Sequence, residues 1–281
     1  MANLKISFLD VGHGDFIYCE SPLGENMVID CGYGDVIPSK FLSKVTTINE
    51  LQISHPHTDH FDDIIDISAK TIKSFRCPNT TLFKDDKIGW KKKDADKLKK
   101  LREIEKNVPV DNNAIKTDKT FDHIVWAPSD INYDDPNTSS LITILSYNGF
   151  KILLGGDLPK EGWLNLLAKK DFVESIKGTT ILKASHHGRD EGYCSELFDV
   201  ISPKLCIISD KALDKDNKNT VATDKYSSAI KKNGGGMEFV YVLTGISAGI
   251  SYVLTTRKDK SIFMDISGIN SYNITTQTTW K

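Results

Sequence analysis

His55-Pro56-His57-Thr58-Asp59-His60 packs three imidazoles and a carboxylate into a single turn of chain. Imidazole nitrogen and carboxylate oxygen are the donors that borderline divalent ions such as Zn²⁺ take, and a catalytic ion keeps one coordination position open for water. The preceding Leu51-Gln52-Ile53-Ser54 reads as a strand that delivers the cluster into a loop. One short loop cannot complete such a site, so distant stretches must supply the remaining ligands.

Two further stretches have the required form. Ile152-Leu153-Leu154-Gly155-Gly156-Asp157 is an apolar run ending in a carboxylate, and Thr180-Ile181-Leu182-Lys183-Ala184-Ser185-His186-His187-Gly188 ends in paired imidazoles. Both have the length of strands, which puts Asp157, His186 and His187 where buried strands give way to loops. Sites in layered α/β proteins gather at such carboxyl ends.

The first third of the chain reads as short strands, Leu4 to Val11, Phe16 to Ser21 and Met27 to Cys31, punctuated by glycines. Val36 to Lys44 is expected to be helical. Thr58 is a candidate N-cap, with Asp62 and Asp63 in the first turn of a helix running to about Ala69. Asn148-Gly149 between Leu141 to Tyr147 and Phe150 to Gly155 is the strongest short hairpin signal in the chain. Helices over Glu161 to Lys170, Glu196 to Val200 and Asp224 to Lys232 then alternate with strands at Thr180 to Ala184, Leu205 to Ser209, Phe239 to Leu243, Ile250 to Thr255 and Ile262 to Ile266. This order predicts an α+β fold, two mixed sheets packed together with helices outside, rather than a doubly wound sheet. The expected layout is one domain over 1–266, a charged helical insertion at about 84–126, and a loosely ordered polar tail over 267–281.

The 281 residues are 39% hydrophobic and 26% charged, enough for a full core. No stretch resembles a membrane span or a signal peptide, so a cytoplasmic protein is expected. Five cysteines, odd in number and without a C-x-x-C pair, indicate packed thiols rather than a disulfide framework or a cysteine zinc site. A net charge of −2 gives no global attraction to polyanions or anionic lipid. Any such attraction is local, and residues 91 to 106, with seven lysines and one arginine against four acids, are where it would arise. Ala95, Leu98, Leu101 and Ile104 recur every third residue there, the mark of a helix with a narrow apolar stripe, for which a solvated surface helix is the simpler reading.

Taken together, the six-residue cluster, Asp157 and His186-His187-Gly188 resemble the metal ligands of the metallo-β-lactamase superfamily. Phe8-Leu9-Asp10-Val11-Gly12-His13-Gly14-Asp15, Val28-Ile29-Asp30-Cys31-Gly32, Leu153-Leu154-Gly155-Gly156-Asp157 and the His-His-Gly element are similar to the hydrolase domain of the competence protein ComEC, over roughly residues 4 to 255. The resemblance implies an αββα four-layer sandwich holding two divalent ions, Zn²⁺ or Mn²⁺. It implies His55 and His57 on the first ion, Asp59, His60 and His187 on the second, and Asp157 bridging both. It also implies that Asp59 takes part in the reaction, that His186 meets the leaving or phosphate group, and that Asn137, Ser139 and Ser140 stand where many relatives carry a third histidine and would touch substrate.

Asp15 and Asp30 would orient ligand imidazoles from behind, although an aspartate before a turn is also a common backbone cap. His13, where the family usually has glutamine, would act similarly or touch substrate; Gly12-His13-Gly14 itself reads as a tight turn exposing Asp15. His123 reads as a core histidine. Departures from the family are Phe61-Asp62-Asp63 in place of a small residue and two glycines, and Arg189 in place of serine. Arg189 would bind phosphate or pair with Asp190 or Glu191.

Three functions compete. The first is a metal-dependent phosphodiesterase or nuclease with single-stranded DNA as the favoured substrate. The others are a hydrolase of a small ester, lactone, lactam or phosphodiester, and a weakly active metal-binding scaffold or effector. Hydrolysis is the default because paired cations activate water and stabilise phosphoryl charge.

Overall fold

A computed structural model describes residues 2–84, 94–213, 220–241 and 246–277. Fifteen strands are described, in chain order β1 Leu4–Phe8, β2 Ile17–Glu20, β3 Asn26–Ile29, β4 Thr47–Gln52, β5 Thr71–Arg76, β6 Phe121–Trp126, β7 Ile142–Tyr147, β8 Phe150–Leu154, β9 Ile181–Lys183, β10 Leu205–Ile208, β11 Met237–Tyr241, β12 Ile246–Ser251, β13 Val253–Thr255, β14 Ser261–Gly268 and β15 Ser271–Gln277. The helices are α1 Pro38–Phe41, α2 Ile64–Ile67, α3 Ala95–Asn107, α4 Lys160–Leu167, α5 Lys170–Ile176, α6 Thr223–Lys232 and α7 Thr256–Asp259. One sheet runs β12-β11-β15-β14-β1-β2-β3-β4-β5 and the other β13-β10-β9-β8-β7-β6. Both are mixed: β1 pairs antiparallel with β2 and β14, whereas β3, β4 and β5 are parallel, as are β8, β9, β10 and β13.

Three apolar cores lie between four layers. Leu4, Ile6 and Phe8 alternate along β1 and meet Leu145, Ile152, Leu154, Ile181, Leu205 and Ile207 of the opposite sheet. The outer face of the first sheet packs Val28, Leu51 and Phe75 against Ile64 and Ile67 of α2 and Leu98, Leu101 and Ile104 of α3. Outside the second sheet, Leu153, Leu182, Cys206 and Ile208 meet Trp163 and Leu166 of α4, Phe172 of α5 and Tyr226 and Ile230 of α6. β10 is buried on both faces, which is why Leu205-Cys206-Ile207-Ile208 is apolar throughout. The sandwich expected from the sequence is the fold observed.

The Asn148-Gly149 turn has positive φ at both residues, 46° and 81°, as a two-residue hairpin of this hand requires. Other expectations change. The helix expected over Val36 to Lys44 is only the single turn α1: Pro38 opens it, and past it Ser43 N and Val45 N donate to Lys40 O and Leu42 O at 3.1 and 2.9 Å, i→i−3 bonds that replace the α-helical ones. Thr58 opens a 3₁₀ turn over Thr58–His60, and α2 begins only at Ile64. Asp63 precedes it with its carboxylate accepting from Ser39 N at 2.6 Å.

The charged insertion is a surface helix only in part. α3 docks by its buried stripe, and Phe121–Trp126 at its far end is an edge strand of the second sheet; residues 85–93 lie outside the described residues. The polar tail is not loose as far as Gln277: β15 pairs with β14 and β11, and its Ile274 and Thr276 face inward. Cys19, Cys31, Cys77, Cys194 and Cys206 are unpaired thiols, four of them buried. Among the described residues no helix is long and apolar enough to cross a membrane.

Candidate metal centre

β3 and β4 run parallel in one sheet and β8 and β9 in the other, so their carboxyl ends open toward one edge of the sandwich. The chain turns sharply there. Asp30, His186 and His187 are non-glycine residues at φ of 59°, 49° and 51°, a left-handed conformation that persists only where surrounding contacts enforce it. The loop after β4 is fixed from behind, with Cys31 N donating to His60 O at 2.8 Å and Phe61 fully buried.

The imidazoles are held at one nitrogen and aimed with the other. His60 Nδ1 lies 2.8 Å from Asp30 Oδ2, while Asp30 also accepts from Ser54 N and Ser54 Oγ at 2.7 and 2.8 Å. His187 Nδ1 donates to Ser209 O at 3.1 Å. Their Nε2 atoms then converge on Asp157 Oδ2, His60 at 3.4 Å and His187 at 3.1 Å, and on Asp59 Oδ2 at 3.8 and 3.5 Å. Both Nε2 atoms and Asp157 Oδ1 are buried without a well-formed hydrogen bond. His55 Nδ1 stands 3.2 Å from Ser54 Oγ, and its Nε2 lies 2.9 Å from His57 Nδ1 and 3.9 Å from Asp157 Oδ2.

Buried nitrogens left unmatched normally mark a missing partner. Bonds of about 2.0–2.2 Å place two donors on one ion no more than about 4.4 Å apart, and each of these pairs meets that limit. The charge pattern fits as well. Burial disfavours an imidazolium at His60, but Asp157, Asp30 and Asp59 outweigh it and push the pKa well above its ordinary value. Burial likewise opposes charge on His187, which Asp157 and Asp59 overcome to raise it to about 10. Carboxylates this concentrated demand positive charge, and a divalent cation supplies it in place of protons.

The remaining sequence expectations divide. Asp30 orients His60. The Asp15 carboxylate is paired with the Lys183 ammonium, both groups about 1% exposed, and offers an oxygen within 4.8 Å of a ring nitrogen of His60 and of His187. Lys183 was missed, although a lysine inside the apolar run Ile181-Leu182-Lys183-Ala184 signals a buried counter-charge. His186 is 20% exposed, with Nδ1 3.7 Å from Glu191 Oε2, and stands apart from the converging donors.

Ser140 is fully buried and its Oγ accepts from Asp157 N at 3.0 Å, and Ser139 Oγ donates to Pro136 O at 2.6 Å. Both hydroxyls therefore hold the loop. Asn137 Oδ1 is buried without a hydrogen bond. Arg189 is 8% exposed and its guanidinium donates to Asp210 Oδ1 at 2.7 Å, not to Asp190 or Glu191. Asp210 was also missed, yet Ile207-Ile208-Ser209-Asp210 repeats the pattern of an apolar strand ending in a carboxylate that singled out Asp157.

No family profile and no curated protein matches the sequence. Solved structures do. The chain overlays on the beta-hydroxylase CmlA (an E377D mutant) with a TM-score of 0.53 at 12% identity, over 84% of this chain and 52% of that one. The shared fold is an αββα sandwich of two mixed sheets with helices outside. Lower scores relate it to the metallo-beta-lactamase fold protein YhfI from Bacillus subtilis, 0.39 at 12% identity over 65% and 70% of the two chains, and to human tRNase Z, short form, 0.38 at 12% identity over 82% and 88%. At these identities the likeness concerns the sandwich alone, and the chain spans about half of the hydroxylase.

Proposed function

We propose that this protein is a metal-dependent hydrolase acting on phosphodiesters, with single-stranded DNA the first substrate to test. The observation that carries the reading is that His55, His60 and Asp157, with Asp59 and His187 beside them, bring donor atoms from three distant segments together with buried nitrogens unmatched, while His57 lies against His55. His55, His57 and Asp157 would hold one ion, and Asp59, His60, Asp157 and His187 the other, Zn²⁺ or Mn²⁺ in either place. Two such ions supply an acidified water near neutral pH and positive charge for an in-line phosphoryl transition state.

The chain's own residues set the stage. Asp30 and the Ser209 carbonyl keep the His60 and His187 rings turned inward, and Ser140 fixes the Asp157 backbone. His186, at the rim, is the group within this chain best placed to meet a leaving or phosphate oxygen. A polymeric substrate is supported by α3: its Lys97 is paired with Asp62, two residues beyond His60, so the basic helix flanks the centre. The net charge of −2 supports instead a small ester or diester, because no field would gather polyanions from a distance.

The test is a Mn²⁺ and Zn²⁺ series on purified protein with single-stranded DNA, duplex DNA, RNA and a bis-aryl phosphodiester. Cleavage of DNA that disappears in His57→Ala and Asp157→Ala, both still folded, is the expected result. Turnover of the small diester alone would assign a small-molecule hydrolase. Full activity in either variant would refute the ligand assignment.

A further inference from the structure

We propose that His13 is a direct ligand of the second metal ion, making that the tight site and leaving the first as the weak one. This rests on the metallo-hydrolase reading and specifies how its centre is loaded.

The Gly12-His13-Gly14-Asp15 turn lies against the ligand loop itself. A Cβ on Gly14, at φ 111°, would fall 2.3 Å from Asp59 O, so only glycine lets the two loops meet. Gly32 N donates to Asp15 O at 2.9 Å and closes the turn from the other side. This approach sets His13 Nε2 3.6 Å from Asp59 Oδ2 and its ring 4.3 Å, centroid to centroid, from that of His187. One donor atom each from His13, Asp59 and His187 lies within 4.8 Å of the others. Asp59 Oδ2 is thus 3.5 Å from one imidazole nitrogen and 3.6 Å from the other, the spacing of donors around a single ion.

The far side of the ring also faces an acceptor, at a longer distance than the hydrogen bonds behind His60 and His187. His13 Nδ1 faces Asp210 Oδ1 at 3.8 Å. Asp210 is fully buried and immobilised by Arg189 at 2.7 Å, by Arg257 at 2.9 Å, and through its own N–H on Thr256 Oγ1 at 3.0 Å. A carboxylate behind an imidazole fixes the tautomer and sharpens the basicity of the nitrogen facing the ion. At 43% exposure, the His13 side chain stands at the mouth of the site.

The donor count is then unequal. With the ligand sets proposed above, three imidazoles, Asp59 and the shared Asp157 would serve the second ion, against two imidazoles and the shared Asp157 for the first.

The experiment uses the full chain stripped with chelator and reloaded with Zn²⁺ or Co²⁺. The two dissociation constants are measured by competition with a chromophoric chelator, and the ligand field by Co²⁺ visible absorption. Wild type is expected to bind one ion at least about 10-fold more tightly than the other. His13→Ala and His13→Gln should weaken the tight ion by about 10–100-fold, the loss that even an outer partner of a ligand typically causes, and shift the Co²⁺ bands. The weak ion should stay within about 3-fold, whereas His57→Ala should remove it. Equal melting temperatures of the metal-free forms exclude misfolding. If wild type binds two ions and the His13 variants match it in constants and spectrum, this inference falls and the hydrolase reading stands. If wild type binds none, both fall.

Discussion

Lys183 and Asp15 form a buried ion pair beside the converging donors His60, Asp157 and His187. Removing one partner of such a pair strands the other charge and costs about 3–5 kcal/mol. Lys183→Met should therefore lower the unfolding free energy in denaturant by about that amount, and Lys183→Met combined with Asp15→Leu should recover part of it. His123 gives a pH signature. Burial, with Arg76 nearby, lowers its pKa to about 4, below the ordinary 6.5 that it regains on unfolding. Its contribution to stability is complete above pH 6.5 and is lost as pH falls toward 4, by roughly 3 kcal/mol in total. His123→Phe should flatten the wild-type stability profile across that window; parallel profiles would show that the ring is not the titrating group. The candidate ligands could be picked out in the sequence because metal chemistry favours clustered donors such as His55 to His60. Lys183 with Asp15, 168 positions apart, and Arg257 with Asp210 were not, because nothing local ties such partners together.

At the scale of elements, α3 is held by three apolar residues in a helix otherwise dominated by charge. Leu101 is fully buried, and Leu101→Ala should cost about 2–5 kcal/mol in equilibrium unfolding. Lys99→Ala with Lys106→Ala leaves that face untouched; it should weaken single-stranded DNA binding and flatten its salt dependence while sparing the small diester. An unchanged salt slope would make the helix a bystander. The α3 stripe and the Asn148-Gly149 hairpin were readable because each is a short-range signal. β15 offers no such signal: Ser271-Tyr272-Asn273-Ile274-Thr275-Thr276-Gln277 carries mostly hydroxyl and amide side chains, and its neighbours β14 and β11 are what make it a strand.

For the whole molecule, the decisive property is that the proposed ligands are divided between the sheets, Asp59 and its histidines following β4 in one, Asp157 and His187 following β8 and β9 in the other. An ion gripping both binds the docked sandwich and not the unfolded chain. At 100 times its dissociation constant, each such ion adds about 2.7 kcal/mol. Chelator treatment should lower the melting temperature measurably in wild type and by much less in Asp157→Ala; an equal response would place the ions elsewhere.

β1 pairs with β14, Leu4 opposite Ile266. β1 therefore has one ribbon edge bare until β14, far along the chain, has docked against it. Compaction that waits on so distant a partner is slow, and an open edge in the meantime invites mispairing with a neighbouring nascent chain. Newly synthesised copies would depend on holding factors at that stage, whereas the finished protein, with this seam zipped shut, would not.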